Sequence, residues 1–109
     1  MRIFLNGIGQ FGLDTFNRLR EAGHEIVAVA APPKSLSGRP DRLFGAAEAA
    51  GIVALDAGRL KEPEVVEALR ATNPELGVMA FVQEFISMDI LTLPTHGTIQ
   101  YHPSLLPKH

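Results

Sequence analysis

Two short apolar runs separated by a helical stretch strongly limit how this chain can fold. Residues 3–5 form a continuous apolar run that ends in Asn-Gly, and residues 24–31 form a second run rich in β-branched residues. Between them, residues 11–22 carry apolar side chains at helical spacing. A strand, a helix and a strand in this order form a βαβ unit, whose two strands pair in a parallel sheet.

The alternation of strand and helix continues to residue 101. The remaining predicted elements are a helix over 41–51, a strand over 52–55, a helix over 62–72, a strand over 76–81, a short helical segment within 83–91 and a strand over 98–101. This pattern predicts an α/β fold with a doubly wound, mainly parallel sheet. In such a fold ligands bind at the carboxyl ends of the strands, so we expect the functional loops at 6–12, 32–40, 82–87 and 102–109.

Composition excludes several classes of function. The 109 residues suffice for one domain, and a net charge of −2 provides no basic field for nucleic acid. The chain has no cysteine, which excludes disulfides, thiolate metal sites and a cysteine nucleophile, and the histidines lack metal-ligand spacing. The first apolar run breaks at Asn6, too early for a signal peptide or a membrane span. We therefore expect a cytoplasmic protein without a metal or a membrane partner.

The stretch NGIGQFG contains three glycines in the G-x-G-x-x-G spacing of a dinucleotide-binding turn, at Gly7, Gly9 and Gly12. Glycine alone is weak evidence, because any tight strand-to-helix turn recruits it. The amides at the start of the following helix nevertheless offer a contact for a polar ligand.

A dinucleotide site also needs an acidic residue at the end of the second strand, where it holds the ribose hydroxyls. That strand ends in Ala30-Ala31-Pro32, and Glu25 stands at its other end. Lys34 and Arg39 keep one alternative open, in which they bind the 2′-phosphate of NADP in an oxidoreductase.

The segment GTIQYHPSLLPKH carries the most specific motif. His102 directly follows a predicted strand and precedes Pro103, which places it at the carboxyl edge of the sheet. Spacing alone supports two interpretations equally: a catalytic histidine, or a histidine that hydrogen-bonds to backbone at a strand end.

HPSLLP, preceded by a strand and by GVMAFVQEFI, resembles the formyltransferase family that uses 10-formyltetrahydrofolate. The members it most resembles are the hydrolase domain of 10-formyltetrahydrofolate dehydrogenase and methionyl-tRNA formyltransferase. The resemblance implies a Rossmann-like fold. It also implies that residues 1–109 are the N-terminal part of a catalytic domain and that this part stops after the fifth strand. It further implies 10-formyltetrahydrofolate as formyl donor, for transfer to an amine such as methionyl-tRNA or for hydrolysis to tetrahydrofolate and formate.

The resemblance also assigns roles to individual residues. His102 matches the catalytic histidine, which stabilises the oxyanion formed at the formyl carbon and assists proton movement. The segment Gln83, Glu84, Phe85 and Ile86 matches the lining of the pterin pocket.

Two departures from the family pattern bear on activity. Gln100 stands where transferases have an Asn whose amide donates to the formyl oxygen, and the hydrolase domain lacks that Asn too. The family's catalytic Asp lies downstream of the histidine, whereas all twelve acidic residues here precede the motif. We therefore expect weak turnover by residues 1–109 and contacts to the amine or tRNA acceptor beyond residue 109. We also expect self-association through an uncovered sheet edge. A catalytically incomplete folate-binding or assembly fragment is a further alternative.

Overall fold

The computed structural model describes residues 1–35, 37–80 and 86–101. The strands are β1 (Arg2–Asn6), β2 (Glu25–Ala31), β3 (Val53–Asp56), β4 (Leu76–Ala80) and β5 (Thr98–Tyr101). The helices are α1 (Gly9–Glu21), α2 (Arg42–Ala49), α3 (Pro63–Ala71) and α4 (Met88–Leu91), and a 3₁₀ turn, Ala57–Arg59, follows β3. Each strand and helix predicted from the sequence is confirmed, with bounds that differ by a few residues.

The five strands form one sheet in the order β3-β2-β1-β4-β5, and every paired strand is parallel to its neighbour. The chain first winds from β1 towards β3 and then returns to the other side of β1 for β4 and β5. Right-handed crossovers place α1 and α2 on one face of the sheet and α3 and α4 on the other. This confirms the predicted doubly wound sheet, with the winding reversal between β1 and β4.

Side chains of β1 alternate between two hydrophobic cores. Ile3 and Leu5 pack with α1 and α2 residues such as Phe16 and Leu43 on what we call the α1 face. Phe4 packs on the opposite side, the α3 face, whose other buried members are Ala28, Ala30, Leu55, Leu60, Val65, Leu69 and Ile90. Both faces of the central strand are therefore buried, as its continuous apolar run predicts.

The glycines of the turn after β1 have a packing role. Gly9 has a φ of 62°, which side-chain-bearing residues rarely adopt. A Cβ atom on Gly12 would lie 2.8 Å from Cδ2 of Leu43, a fully buried side chain of α2. Gly12 is thus needed for the close approach of α1 and α2, and Gly9 for the backbone conformation of the turn.

We predict that two helical glycines respond to alanine with opposite signs. Gly12→Ala should lower the free energy of unfolding by about 1 to 2 kcal/mol, because the new methyl group overpacks the contact with Leu43. Gly45→Ala in α2 should raise it by about 0.5 to 1 kcal/mol, because a Cβ there meets nothing within 4 Å and alanine favours the helix. Urea unfolding of the two variants measures both, and equal shifts would contradict the packing role.

Candidate functional site

Four side chains form a row across the α3 face at the carboxyl edge of the sheet. Asn6 of β1 pairs with Ala30 of β2 and with Met79 of β4, and Met79 pairs with Gln100 of β5. Paired residues of parallel strands point to the same side, and Asn6 lies two residues after Phe4 of the α3-face core. We call these residues, Ala30, Asn6, Met79 and Gln100, the carboxyl row. They span the winding reversal, where doubly wound sheets bind their ligands.

Asn6 is the unusual member of the carboxyl row. Its side chain is only 3% exposed, and its Nδ2 has no hydrogen-bond acceptor within the part of the chain that the structure describes. A buried amide donor without an acceptor costs about 1 to 3 kcal/mol, so native structures contain few of them. The sequence pattern identifies Asn6 only as the end of an apolar run. A polar residue at the last position of a strand buried on both faces is the signal that could have identified it.

Two of the predicted site residues fall within the described residues, and both lie on the α3 face. Gln100 is an exposed member of the carboxyl row. Ile86 is half-buried and packs against the α3-face core. Gln83, Glu84, Phe85 and His102 lie outside the described residues, so their roles stay predictions.

Ile86 also lines a cavity of about 270 Å³. One wall is formed by Ile86, Ser87 and Ile90. The other wall, after β3, is formed by Ala57, Gly58, Leu60 and Lys61. The cavity is lined by both polar and apolar side chains and offers a concave surface on the α3 face.

The turn between β1 and α1 is held by a carboxylate from elsewhere in the chain. Oδ2 of Asp41 accepts a hydrogen bond from the Gly9 amide at 2.9 Å. Its Oδ1 accepts from the amides of Leu43 at 2.9 Å and Phe44 at 3.1 Å, so one side chain caps both α1 and α2. Asp41 stands at the start of the helix predicted over residues 41–51, whereas no sequence pattern predicted its bond to Gly9.

The position of Asp41 argues against a phosphate site at this turn. The carboxylate is 4% exposed, so an incoming phosphate would meet a buried negative charge at the amide it needs. Moreover, β2 ends at Ala31 without an acidic residue, and Lys34 and Arg39 are exposed. The expected ligand contact at Gly9 and the NADP interpretation thus receive no support from the structure.

An aromatic pair connects the first turn of α1 to the end of β5 on the α1 face. The rings of Phe11 and Tyr101 stack with centroids 5.7 Å apart and planes inclined by 16°. Tyr101 immediately precedes His102 in the sequence. The contact fixes the point at which the chain enters the HPSLLP segment.

Two carboxylates with shifted pKa values lie outside the carboxyl row. A hydrogen bond from the Arg59 guanidinium, 2.7 Å from Oε1 of Glu62, lowers the pKa of that carboxyl at the start of α3. The backbone N–H of Arg2, 2.8 Å from Oε1 of Glu75, is the main cause of the lowered pKa of Glu75 before β4. These structural partners account for the lowered pKa of each carboxylate.

No group of three or more His, Asp or Glu side chains is placed to hold a metal ion within residues 1–35, 37–80 and 86–101. The same residues contain no helix with the length and hydropathy needed to cross a membrane.

Comparison with known proteins identifies the family. The family model described as formyl transferase matches residues 1–109. The chain belongs to the formyl transferase family. Human mitochondrial 10-formyltetrahydrofolate dehydrogenase is 40% identical over 114 aligned residues, which cover 100% of this chain and 12% of that protein. Methionyl-tRNA formyltransferase from Chloroflexus aurantiacus is 39% identical over 114 residues, covering 100% of this chain and 37% of that protein.

A solved formyltransferase structure shares the fold. Phosphoribosylglycinamide formyltransferase from Bacillus halodurans superposes with a TM-score of 0.69 at 19% identity, covering 98% of this chain and 58% of that one. The Rossmann-like formyltransferase fold and the family resemblance inferred from HPSLLP are therefore confirmed. In this formyl transferase domain the glycine turn serves packing, and the carboxyl row marks the candidate site.

We predict that the aromatic pair of this domain can be followed through Tyr101 alone, because the chain has one tyrosine and no tryptophan. Phe11→Leu should make tyrosine emission more easily quenched by acrylamide, since loss of the stacked ring exposes Tyr101. Phe44→Leu in α2 is the matched control and should leave quenching unchanged. If both variants behaved like the wild-type protein, the stacked pair would not form in solution.

Proposed function

We propose that this chain handles the formyl group of 10-formyltetrahydrofolate, bound at the carboxyl edge of the sheet on the α3 face. The observation that carries the proposal is the formyl transferase match over all 109 residues. Two relatives with about the same identity are named as a 10-formyltetrahydrofolate dehydrogenase and a methionyl-tRNA formyltransferase. Residues 1–109 are, in this proposal, the donor-binding part of a catalytic domain.

The described residues on the α3 face suit such a ligand. A pterin presents a flat apolar ring with a row of hydrogen-bonding groups at its edge, so its pocket needs apolar walls and a few polar contacts. Ile86 supplies an apolar wall, and the carboxyl row supplies the side-chain amides of Asn6 and Gln100. We assign Gln83, Glu84 and Phe85 to the same pocket on the family resemblance.

The proposed reaction begins with attack of a nucleophile on the formyl carbon. Negative charge then develops on the formyl oxygen, where each well-placed donor contributes about 3 kcal/mol to lowering the barrier. His102 stabilises this oxyanion and moves a proton, and Gln100 donates from its side-chain amide. Water as nucleophile gives formate and tetrahydrofolate, whereas an amine such as methionyl-tRNA gives the formylated amine and tetrahydrofolate.

We expect calorimetry to show saturable binding of a hydrolysis-resistant 10-formylfolate analogue by the wild-type chain. Ile86→Ala should weaken this binding about tenfold, because it removes apolar contact area from the pocket. Ile99→Ala is the matched control: Ile99 is 54% exposed and lies on the α1 face, so binding should not change.

Histidine variants and NADP binding distinguish the competing interpretations. His102→Ala should leave analogue binding intact and abolish any release of formate from 10-formyltetrahydrofolate, whereas His96→Ala, in an exposed turn, should not affect it. Binding of NADP without binding of the folate analogue would overturn the proposal in favour of the oxidoreductase alternative.

We also propose that the chain self-associates through β5. This strand is the last of the sheet, and Ile99 and Tyr101 on its α1 face are 54% and 40% exposed. Ile99→Lys should therefore shift sedimentation towards the monomer. Val53→Lys, on the opposite edge strand β3, is the matched control and should not, and an identical response of both variants would contradict a β5 interface.

A further inference from the structure

The amide of Asn6 stands apart from the other buried polar side chains. Thr15 donates its hydroxyl to the Phe11 carbonyl at 2.9 Å, and Asp41 accepts three backbone N–H bonds. Asn6 is as deeply buried as either, yet its Nδ2 has no acceptor among the described residues. A donor kept in this state at a cost in stability is best explained by an acceptor that arrives with a ligand.

The position of Asn6 places this donor in the candidate site. It is the last residue of β1, at the winding reversal, and the carboxyl row sets it two strands from Gln100. Neighbouring strands lie about 4.8 Å apart, so roughly 10 Å separates the backbones that carry the two amides. Met79 lies between them on the same face. One apolar side chain therefore separates the positions of the two amides on this face.

The surroundings select the kind of acceptor. The neighbours of Asn6 in the carboxyl row are Ala30 and Met79, so no charge in the row would compensate an anion held by one neutral donor. A carbonyl oxygen is neutral in the ground state and accepts a single amide bond without such compensation. The formyl oxygen of the proposed donor is an acceptor of this kind, and it gains negative charge during attack on the formyl carbon.

We infer that Asn6 is a further binding residue for the formyl donor, and that its Nδ2 donates a hydrogen bond to the formyl oxygen. This inference rests on the proposed function and adds a second amide donor, on β1, to Gln100 on β5. The two donors approach from opposite sides of Met79.

The test compares a hydrolysis-resistant 10-formylfolate analogue with its deformylated counterpart, using the wild-type chain and Asn6→Leu. Leucine has nearly the same shape as asparagine but no donor. We expect the variant to bind the formylated analogue about tenfold more weakly and the deformylated one with unchanged affinity. Asn17→Leu, at an exposed position of α1, is the matched control and should change neither affinity.

Stability without ligand gives an independent readout. Because Asn6→Leu removes a buried donor that lacks an acceptor, its urea midpoint should equal or exceed that of the wild-type protein. A clearly lower midpoint would mean that the amide has an internal partner, and the inference would be wrong.

A second measurement uses the wild-type chain, in case Asn6→Leu fails to fold. The side-chain NH₂ resonances of Asn6 should shift on addition of the formylated analogue and not on addition of the deformylated one. The inference would be overturned if both analogues shifted these resonances equally or if neither did. It would also be overturned if Asn6→Leu lost affinity equally for both analogues. Each of these results would leave the proposed function standing. If the wild-type chain bound neither analogue, both would fall.

Discussion

Pairing of β1 with β2 on one side and with β4 on the other is the constraint on which the rest of the structure depends. It puts both faces of β1 inside the protein, so its residues must alternate between two separate cores. It also forces the chain to reverse its winding at the carboxyl end of β1. In doubly wound sheets a reversal of this kind is the place where ligands bind. The carboxyl row exists because these two pairings and the pairing of β4 with β5 are in register with one another.

Much of this arrangement could be predicted from local sequence. The central strands β1, β2 and β4 read as mainly apolar runs and α1 as a periodic one, because burial on both faces of a parallel sheet favours apolar residues. HPSLLP indicated the family, which the match over residues 1–109 confirms. The fold class predicts the approximate order of the strands. The register that aligns Asn6 with Gln100 cannot be predicted from the residue pattern of any single strand.

The site was less predictable because it depends on contacts between distant residues. The glycine spacing at Gly7, Gly9 and Gly12 suggested a phosphate-binding turn, yet a carboxylate 32 positions after Gly9 occupies the amide such a ligand would use. In the sequence Asn6 is only the end of a strand, whereas the structure shows that it is buried and that its Nδ2 has no acceptor among the described residues. Ile86 and Gln100, by contrast, were predicted from the family resemblance; both lie on the α3 face, and their roles stay predictions. A long-range hydrogen bond or its absence has no signature in the spacing of residues.

The shared cap at Asp41 has a consequence for how this domain opens. Fraying of the first turn of α1 breaks the bond to Gly9, and fraying of α2 breaks the bonds to Leu43 and Phe44, so either event leaves the same buried carboxylate poorly solvated. The opening of one helix therefore lowers the cost of opening the other. α1 and α2 should behave as a single cooperative unit whose amides exchange with solvent at a common opening free energy. The carboxyl row lies on the opposite face of the sheet and does not belong to that unit.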